Sequence, residues 1–514
     1  MNRDDRIGLR TKIYHQRGAT IISQGVFPYK YEKEKTTSGM TALAGLPVYL
    51  DLASVLNLGE SIAVHLHAKV QGWTDAQIVL SLILLNLAGG ESVDDLRILE
   101  ADDGFCRILR RIELKDLPRK ERRETEKRWR REKHRSVPSP SAVFRYLAAF
   151  HEDYARIEGK AAIPPLTDLL LALERINADL IAAVDKQSLA DYATLDMDAT
   201  LIETEKKDAL FSYKGFKAYQ PLNTYWAEKG LILHTEFRDG NVPAGHEQLR
   251  VFIHALSLLP EGIKTVRLRS DTAGYQHDLM RYCDNEEEHS RFGRVEFAIG
   301  ADVTPEFKKA VRETEEWRPL LDKKGHVRGE WAEVCFVPNK SATKKGEPYR
   351  YIAIRERLRQ PLLPGMGYLS FQTIAFNEAQ YKLFGIVTNM DWEGDKLIDW
   401  HHERCGKSEE AHAVMKEDLA GGKLPSGKFG ENAAWWWITV LAHNLNAAMK
   451  SLVLRGSWVA KRMKAVRFHL INLPGRVMEH ARGLIVRLSG DHPSFDVLLS
   501  ARRRIMELGC APSG

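Results

Sequence analysis

The chain has 514 residues, 44% of them hydrophobic, with 75 Lys and Arg against 69 Asp and Glu. That supports sizeable cores and roughly three domains at ~150 residues each, while no stretch reaches the ~20 apolar residues of a membrane span. Five cysteines, at 106, 283, 335, 405 and 510, are scattered without a Cys-x-x-Cys pair, so neither a disulfide framework nor a structural zinc site is expected, and a reducing cytosol fits.

The formal net charge of +6 is unevenly spread. Residues 119–135 hold ten Lys or Arg against four Glu, and residues 450–504 hold twelve against three acids. Segregated basic segments on a near-neutral chain suggest a polyanionic partner. The interleaved Glu of the first segment equally suits a solvated helix face.

In chain order, the start Met1-Asn-Arg-Asp-Asp-Arg is polar and lacks the apolar region of a signal peptide. Residues 1–112 read as an N-terminal helical region, compatible with a DNA-binding module. Thr74 and Ser92 are placed to cap two of its helices, and the run Ile78–Leu85 reads as a buried helix. Residues 113–190 combine a basic arm, including Arg130 and Arg131, with a helix that starts after Pro138 and Pro140. Ser139 or Ser141 caps that helix, which carries Arg145. A capped helix end beside a basic arm suits DNA phosphates, and the same helix can bury Val143, Leu147 and Phe150.

From 191 the pattern turns to strands. Ala193–Thr204 has β-like alternation, 218–228 and 231–237 are the next two strands, and 244–259 is a helix. Thr265-Val-Arg-Leu-Arg-Ser is a fourth strand ending at Asp271; a helix at His277–Cys283 and a strand at 294–302 follow. The order β-β-β-α-β-α-β is that of a ribonuclease-H-type core, here 191–310. Residues 311–399 read as a β-rich insertion. Residues 400–450 are the second part of the core, with Ser408 capping a helix from Glu409 to Leu419, and 451–514 form a basic helical region. The expected fold class is therefore α/β: a ribonuclease-H-like mixed sheet core interrupted by a β-rich insertion, with helical N- and C-terminal regions.

Asp196 and Asp198 share one face of the first strand. In this strand order the first and fourth strands are neighbours, so Asp271 meets that face. Like charges at ~4 Å repel by ~4 kcal/mol at an effective dielectric of 20; such a pair shares a proton or binds a cation, and hard ions such as Mg²⁺ want carboxylate oxygens. A third acid is expected from His401–Leu419, where Glu409, His412 and Lys416 fall on one helical stripe and Glu410 points about 100° away. Asp271 could otherwise be a simple helix cap.

The stretches LDMDAT (195–200), KGFKAYQPL (214–222), LRSDTAGY (268–275), RCGKSEEAHAVMKEDLAGGKLPSG (404–427) and FGENAAWWWITVLAHNLNAAMK (429–450) together resemble a DDE transposase of a bacterial insertion sequence, of the insertion-sequence 1380 type. That group is related to a class with a Tyr-x2-Arg-x3-Glu-x6-Lys signature. The resemblance implies Asp198, Asp271 and Glu409 as catalytic, metal-holding acids, selecting Asp198 over Asp196 and Glu409 over Glu410. It implies Lys416 and Arg404 as DNA-phosphate contacts, with His401 at the signature's Tyr position. Four residues separate Arg404 from Glu409, where the signature has three.

By this resemblance the cofactor is a pair of Mg²⁺ ions, with Mn²⁺ as substitute, about 3.5–4 Å apart. The partners are duplex DNA with terminal inverted repeats, target DNA and a second copy in a synaptic homodimer; no membrane is involved, and the location is the bacterial cytoplasm. Trp331 and Trp392 are candidates for stacking on a displaced base, or core residues; Trp435, Trp436 and Trp437 read as packing. Arg467 and Arg476 could bind DNA or a second subunit. The rival readings are a ribonuclease-H-type nuclease that cuts without joining, and a non-catalytic DNA-binding protein derived from a transposase.

Overall fold

The computed structural model describes residues 22–24, 30–32, 38–115, 117–132, 134–154, 161–285, 287, 291–338, 348–358, 371–376, 379–480 and 483–510. Two short helices, Val48–Val55 and Leu58–His65, precede helix α1 (Asp75–Ala88). Thr74 Oγ1 accepts from the Gln77 amide while Gln77 Oε1 accepts from the Thr74 amide, a reciprocal cap that starts α1; Gly89, at φ 99°, ends it. The apolar run of α1 is buried on nearly every side, as its composition requires. Among the described residues no single helix is long and apolar enough to cross a membrane.

Helix α2 (Asp103–Glu113), the basic helix α3 (Arg119–Glu132) and helix α4 (Pro140–Ala148) follow. Of the two cap candidates it is Ser139 whose side chain accepts from Ala142 N. Helix α5 (Asp168–Gln187) then leads into the sheet.

Ten strands form one mixed sheet. They are β1 (Tyr192–Ala199), β2 (Leu222–Trp226), β3 (Leu231–Glu236), β4 (Thr265–Ser270), β5 (Glu296–Ala301), β6 (Arg318–Leu321), β7 (Val327–Val334), β8 (Arg350–Arg357), β9 (Thr373–Phe376) and β10 (Ala379–Thr388). The spatial order is β6-β7-β8-β10-β5-β4-β1-β2-β3, with β9 on β10. β1, β4 and β5 run parallel, while β2 is antiparallel to both of its neighbours, β1 and β3. Helix α6 (Gln248–Ser257) links β3 to β4, and α7 (His277–Asp284) links β4 to β5.

The strands from 318 to 388 fall in the segment expected as a β-rich insertion. They hydrogen-bond as a continuation of the same sheet, joined where β10 runs antiparallel to β5. Edge strand β3 would otherwise expose unpaired backbone. Asn444 supplies both an acceptor to Ile232 N and a donor to Ile232 O, and Asn177 donates to the carbonyls of Ile232 and Leu233. The opposite edge, β6, is short and contains Pro319, which cannot donate to a further strand.

Helix α8 (Gly394–Ala413) lies on the sheet and passes directly into a π-helical turn, Val414–Asp418. The helix therefore begins fifteen residues before the expected start at Glu409, and Ser408 is an interior residue whose hydroxyl donates to the Arg404 carbonyl. Helix α9 (Phe429–Ala448) is buried almost throughout; Trp435, Trp436 and Trp437 are core residues.

The C-terminal segment was expected to be helical between 460 and 504. It contains a hairpin, β11 (Gly475–His480) with β12 (Gly483–Arg487), before the last helix, α10 (Phe495–Cys510). In β12 burial alternates, Leu484 and Val486 being less exposed than Ile485, and in β11 Val477 is the buried residue. β11 also pairs with Met40–Thr41, tying the two ends of the chain together.

Candidate active site

The site sits where α8 crosses β1 and β4. Parallel pairing sets Ser270 opposite Met197, so one further step in register brings Asp271 beside Asp198 on strands about 4.8 Å apart. Asp271 also accepts from Ala273 N at 3.0 Å and so caps the short turn Thr272–Gly274. Gly274 is needed there for close approach: a Cβ would lie 2.5 Å from Ser270 Oγ.

Asp198 is the electrostatic centre. Burial lifts its carboxyl, Arg404 opposes the lift, and the charges of Asp271 and Glu409 add to it; the result is about 7. Glu409 is felt at Asp198, whereas Glu410 is felt at Tyr225 and Lys450. Arg404 is buried, with a guanidinium nitrogen 3.4 Å from Asp198 Oδ2. Lys416 lies on the π turn, its ammonium donating to the Leu201 carbonyl at 3.3 Å, and burial lowers its pKa. The wider turn breaks the continuous α-helical stripe expected from Glu409 to Lys416.

His401 is inside the protein. Its Nε2–H donates to the Ser270 carbonyl at 3.0 Å, and burial lowers its pKa to about 3. It pins α8 to the end of β4 and offers DNA no open surface. Asp196 is likewise accounted for: Arg269 clamps it with two bonds of 2.6 and 2.8 Å, both side chains being fully buried. Arg269 also donates to the Trp400 carbonyl, stitching β1, β4 and α8 together.

Sequence reading missed a polar relay behind Asp198. The Trp436 indole N–H donates to Thr235 Oγ1 at 2.9 Å, and the Thr235 hydroxyl to Asn223 Oδ1 at 2.6 Å. The Asn223 amide then donates to His412 Nε2 at 3.0 Å. With Asn223 Oδ1 taking the Thr235 hydroxyl, its amide N–H is turned to His412 Nε2, so neutral His412 carries its proton on Nδ1. That atom faces Asp198 Oδ2 at 3.7 Å. The one local hint was that Asn223 belongs to the strand paired with β1; its register opposite Asp198 is a tertiary fact.

Other expected contacts fall elsewhere. Trp331 is buried with its ring against Gly394, and Trp392 packs on Trp400. Arg467 donates to the carbonyls of Asn86, Leu87 and Asp418, so it serves packing, while Arg476 is exposed on β11. Arg145 is exposed on α4. Arg130 and Arg131 belong to α3, but their side chains lie outside the described residues. A cavity of about 930 Å³ opens between α2, α3 and the β11–β12 hairpin, lined by Arg107, Arg110, Arg119, Arg123, Trp129 and His480 among others.

The sequence profile of the transposase DDE domain, group 1, matches residues 33–510. The chain belongs to this family. The transposase is similar in structure to a piggyBac transposase solved as a synaptic complex with hairpin DNA, at 9% identity and a TM-score of 0.41, over 79% of this chain and 74% of that one. No curated protein matches it in sequence.

The three acids themselves offer only oxygen donors, which suits a hard divalent ion. As the side chains stand, Asp198, Asp271 and Glu409 do not bring three ligand atoms within 4.8 Å of one another; among the described residues the group that does is Glu174, His234 and His254.

Proposed function

We propose that this transposase cuts DNA at the ends of an insertion sequence, of the 1380 type and bacterial, and rejoins the freed ends to a target. The observation that carries the reading is the Asp198 carboxyl, lifted to about 7 in a pocket where Asp271 and Glu409 from two other elements add negative charge. Acids so arranged are not kept for stability; they wait for positive charge. Asp198 feels the charge of both other acids, and these three carboxylates would hold the metal. The adjacency of parallel β1, β4 and β5 beside antiparallel β2 and β3 supports a ribonuclease-H-like core.

Divalent metal ions, Mg²⁺ or Mn²⁺, would activate water or a 3′-hydroxyl and stabilise the leaving oxygen. The chain's own residues do the rest. Arg404 and Lys416 supply cations beside the acids for the non-bridging phosphate oxygens. His401, Arg269 and Asp196 hold α8 so that Glu409 faces the strand ends. The basic cavity beside α3, with Arg145, suits the duplex backbone of the terminal repeats, and a pair of copies would synapse two ends.

The test is cleavage and strand transfer on linear DNA carrying the flanking inverted repeats. Asp198→Ala, Asp271→Ala and Glu409→Ala should each lower cleavage by at least ~10³ while DNA binding persists, with binding falling steeply as salt rises. Cleavage retained in any of the three overturns the assignment. Cleavage without joining favours a nuclease, and binding without cleavage in Mg²⁺ favours a non-catalytic derivative.

A further inference from the structure

The sheet carries a second group of ligand-type side chains on its other face. Thr235 pairs with Asn223 and Asn223 with Asp198, so all three share the face of the acidic centre. His234 therefore points the opposite way. It meets Glu174 from the middle of α5 and His254 from α6. His234 Nδ1 lies 2.8 Å from Glu174 Oε1, and His254 Nε2 lies 2.9 Å from Glu174 Oε2. All three ligand atoms fall within 4.8 Å of one another.

We infer that Glu174, His234 and His254 form a structural site for a borderline divalent ion of the Zn²⁺ type, separate from the acidic centre. Glu174 and His234 are 4% and 2% exposed, yet Glu174 Oε1 and His234 Nδ1 form no hydrogen bond despite their 2.8 Å approach. The imidazole direction misses the oxygen. Buried polar atoms are rarely left so. Ligands of a shared cation stand in this way, because each aims at the ion rather than at its neighbour.

The third ligand, His254, does bond to Glu174 and is the most exposed of the three, which leaves solvent a path and a fourth position. Two imidazoles and a carboxylate suit Zn²⁺ and not Mg²⁺. Tetrahedral bonds of about 2.1 Å separate ligand atoms by roughly 3.4 Å, so loading needs each contact to open by about half an ångström. An ion here would clip edge strand β3 to α5 and α6.

The full-length protein, stripped with chelator, is titrated with Co²⁺ and separately melted with and without micromolar Zn²⁺. One equivalent of Co²⁺ should give the intense visible bands of four-coordination, without a thiolate charge-transfer band, and Zn²⁺ should raise Tm by about 3 °C. Both should persist in the Asp198→Ala/Asp271→Ala/Glu409→Ala triple variant and vanish in His254→Ala, whose partly exposed side chain can be removed without emptying the core. Weak, six-coordinate bands alone, or responses equal in His254→Ala, overturn the site and leave a carboxylate bridging two imidazoles.

Discussion

Asp196 and Asp198 lie two residues apart on one strand and meet opposite electrostatic fates. Asp196 is saturated by a planar guanidinium, whereas Asp198 has a single guanidinium contact at 3.4 Å and two acids nearby. Removing one partner of a buried pair leaves an uncompensated charge. Arg269→Ala should thus cost about 3–5 kcal/mol in chemical denaturation, and Arg269→Met with Asp196→Leu should recover most of that; a loss under 1 kcal/mol in the single variant would contradict the clamp. The relay makes a different demand. His412→Leu should lower cleavage roughly tenfold and raise the Mg²⁺ needed for half-maximal rate, while His412→Asn, which keeps an N–H near the Nδ1 position, should retain more of both. Equal defects in the two variants would reduce His412 to packing.

At the scale of elements, the extension of the sheet acts as a shelf for α8. Trp331, Ile352, Ile354 and Ile386 form a second apolar cluster with Leu397 and Ile398 of the helix. At the helix start, a Cβ on Gly394 would lie 2.2 Å from the Trp331 ring. Gly394→Ala must therefore push out the first turn of the helix that carries Arg404 and Glu409. Cleavage should fall about 10–100-fold, and Trp331→Leu in the same chain should restore part of it. An unchanged rate in Gly394→Ala would show that the shelf does not set the site. The helix's length was illegible locally because Gly406, Lys407 and Ser408 look like a break followed by a cap. They are carried through as helix because the stripe His401, Arg404, Ser408, Ala411 and His412 is buried on the sheet.

At the scale of the whole molecule, burial lowers several histidines among the described residues, three of them strongly. Burial pushes His401 and His412 down to about 3 and His443 to about 4. Depressed histidine pKa values stabilise the fold fully above about pH 6.5, and that stability is lost as pH falls toward 3. Asp198, raised to about 7, acts oppositely, destabilising the metal-free fold as pH rises from about 4 to 7. These four groups by themselves give a net uptake on unfolding of about two protons near pH 5.5, to which the depressed His134, His277 and His402 add. Unfolding free energy should fall by about 2 kcal/mol per pH unit there. Denaturation at pH 7.5 and 5.5 in chelator tests this, and equal or greater stability at 5.5 would refute it.

What the sequence determined by itself is what depends on neighbours along the chain. Alternation marked β1 and β4, the cap at Thr74 marked α1, and the family resemblance followed from the order of short motifs. Register and docking decided the rest. Whether Asp196 meets Arg269, whether Asn223 reaches His412, and whether the strands from 318 to 388 form their own sheet are settled by backbone pairs between residues tens to hundreds of positions apart. Glu174, His234 and His254 have no motif spacing at all, so reading cysteines for zinc could not find them. Local patterns encode which face of an element is apolar; which elements those faces meet is chosen only when the entire core packs at once.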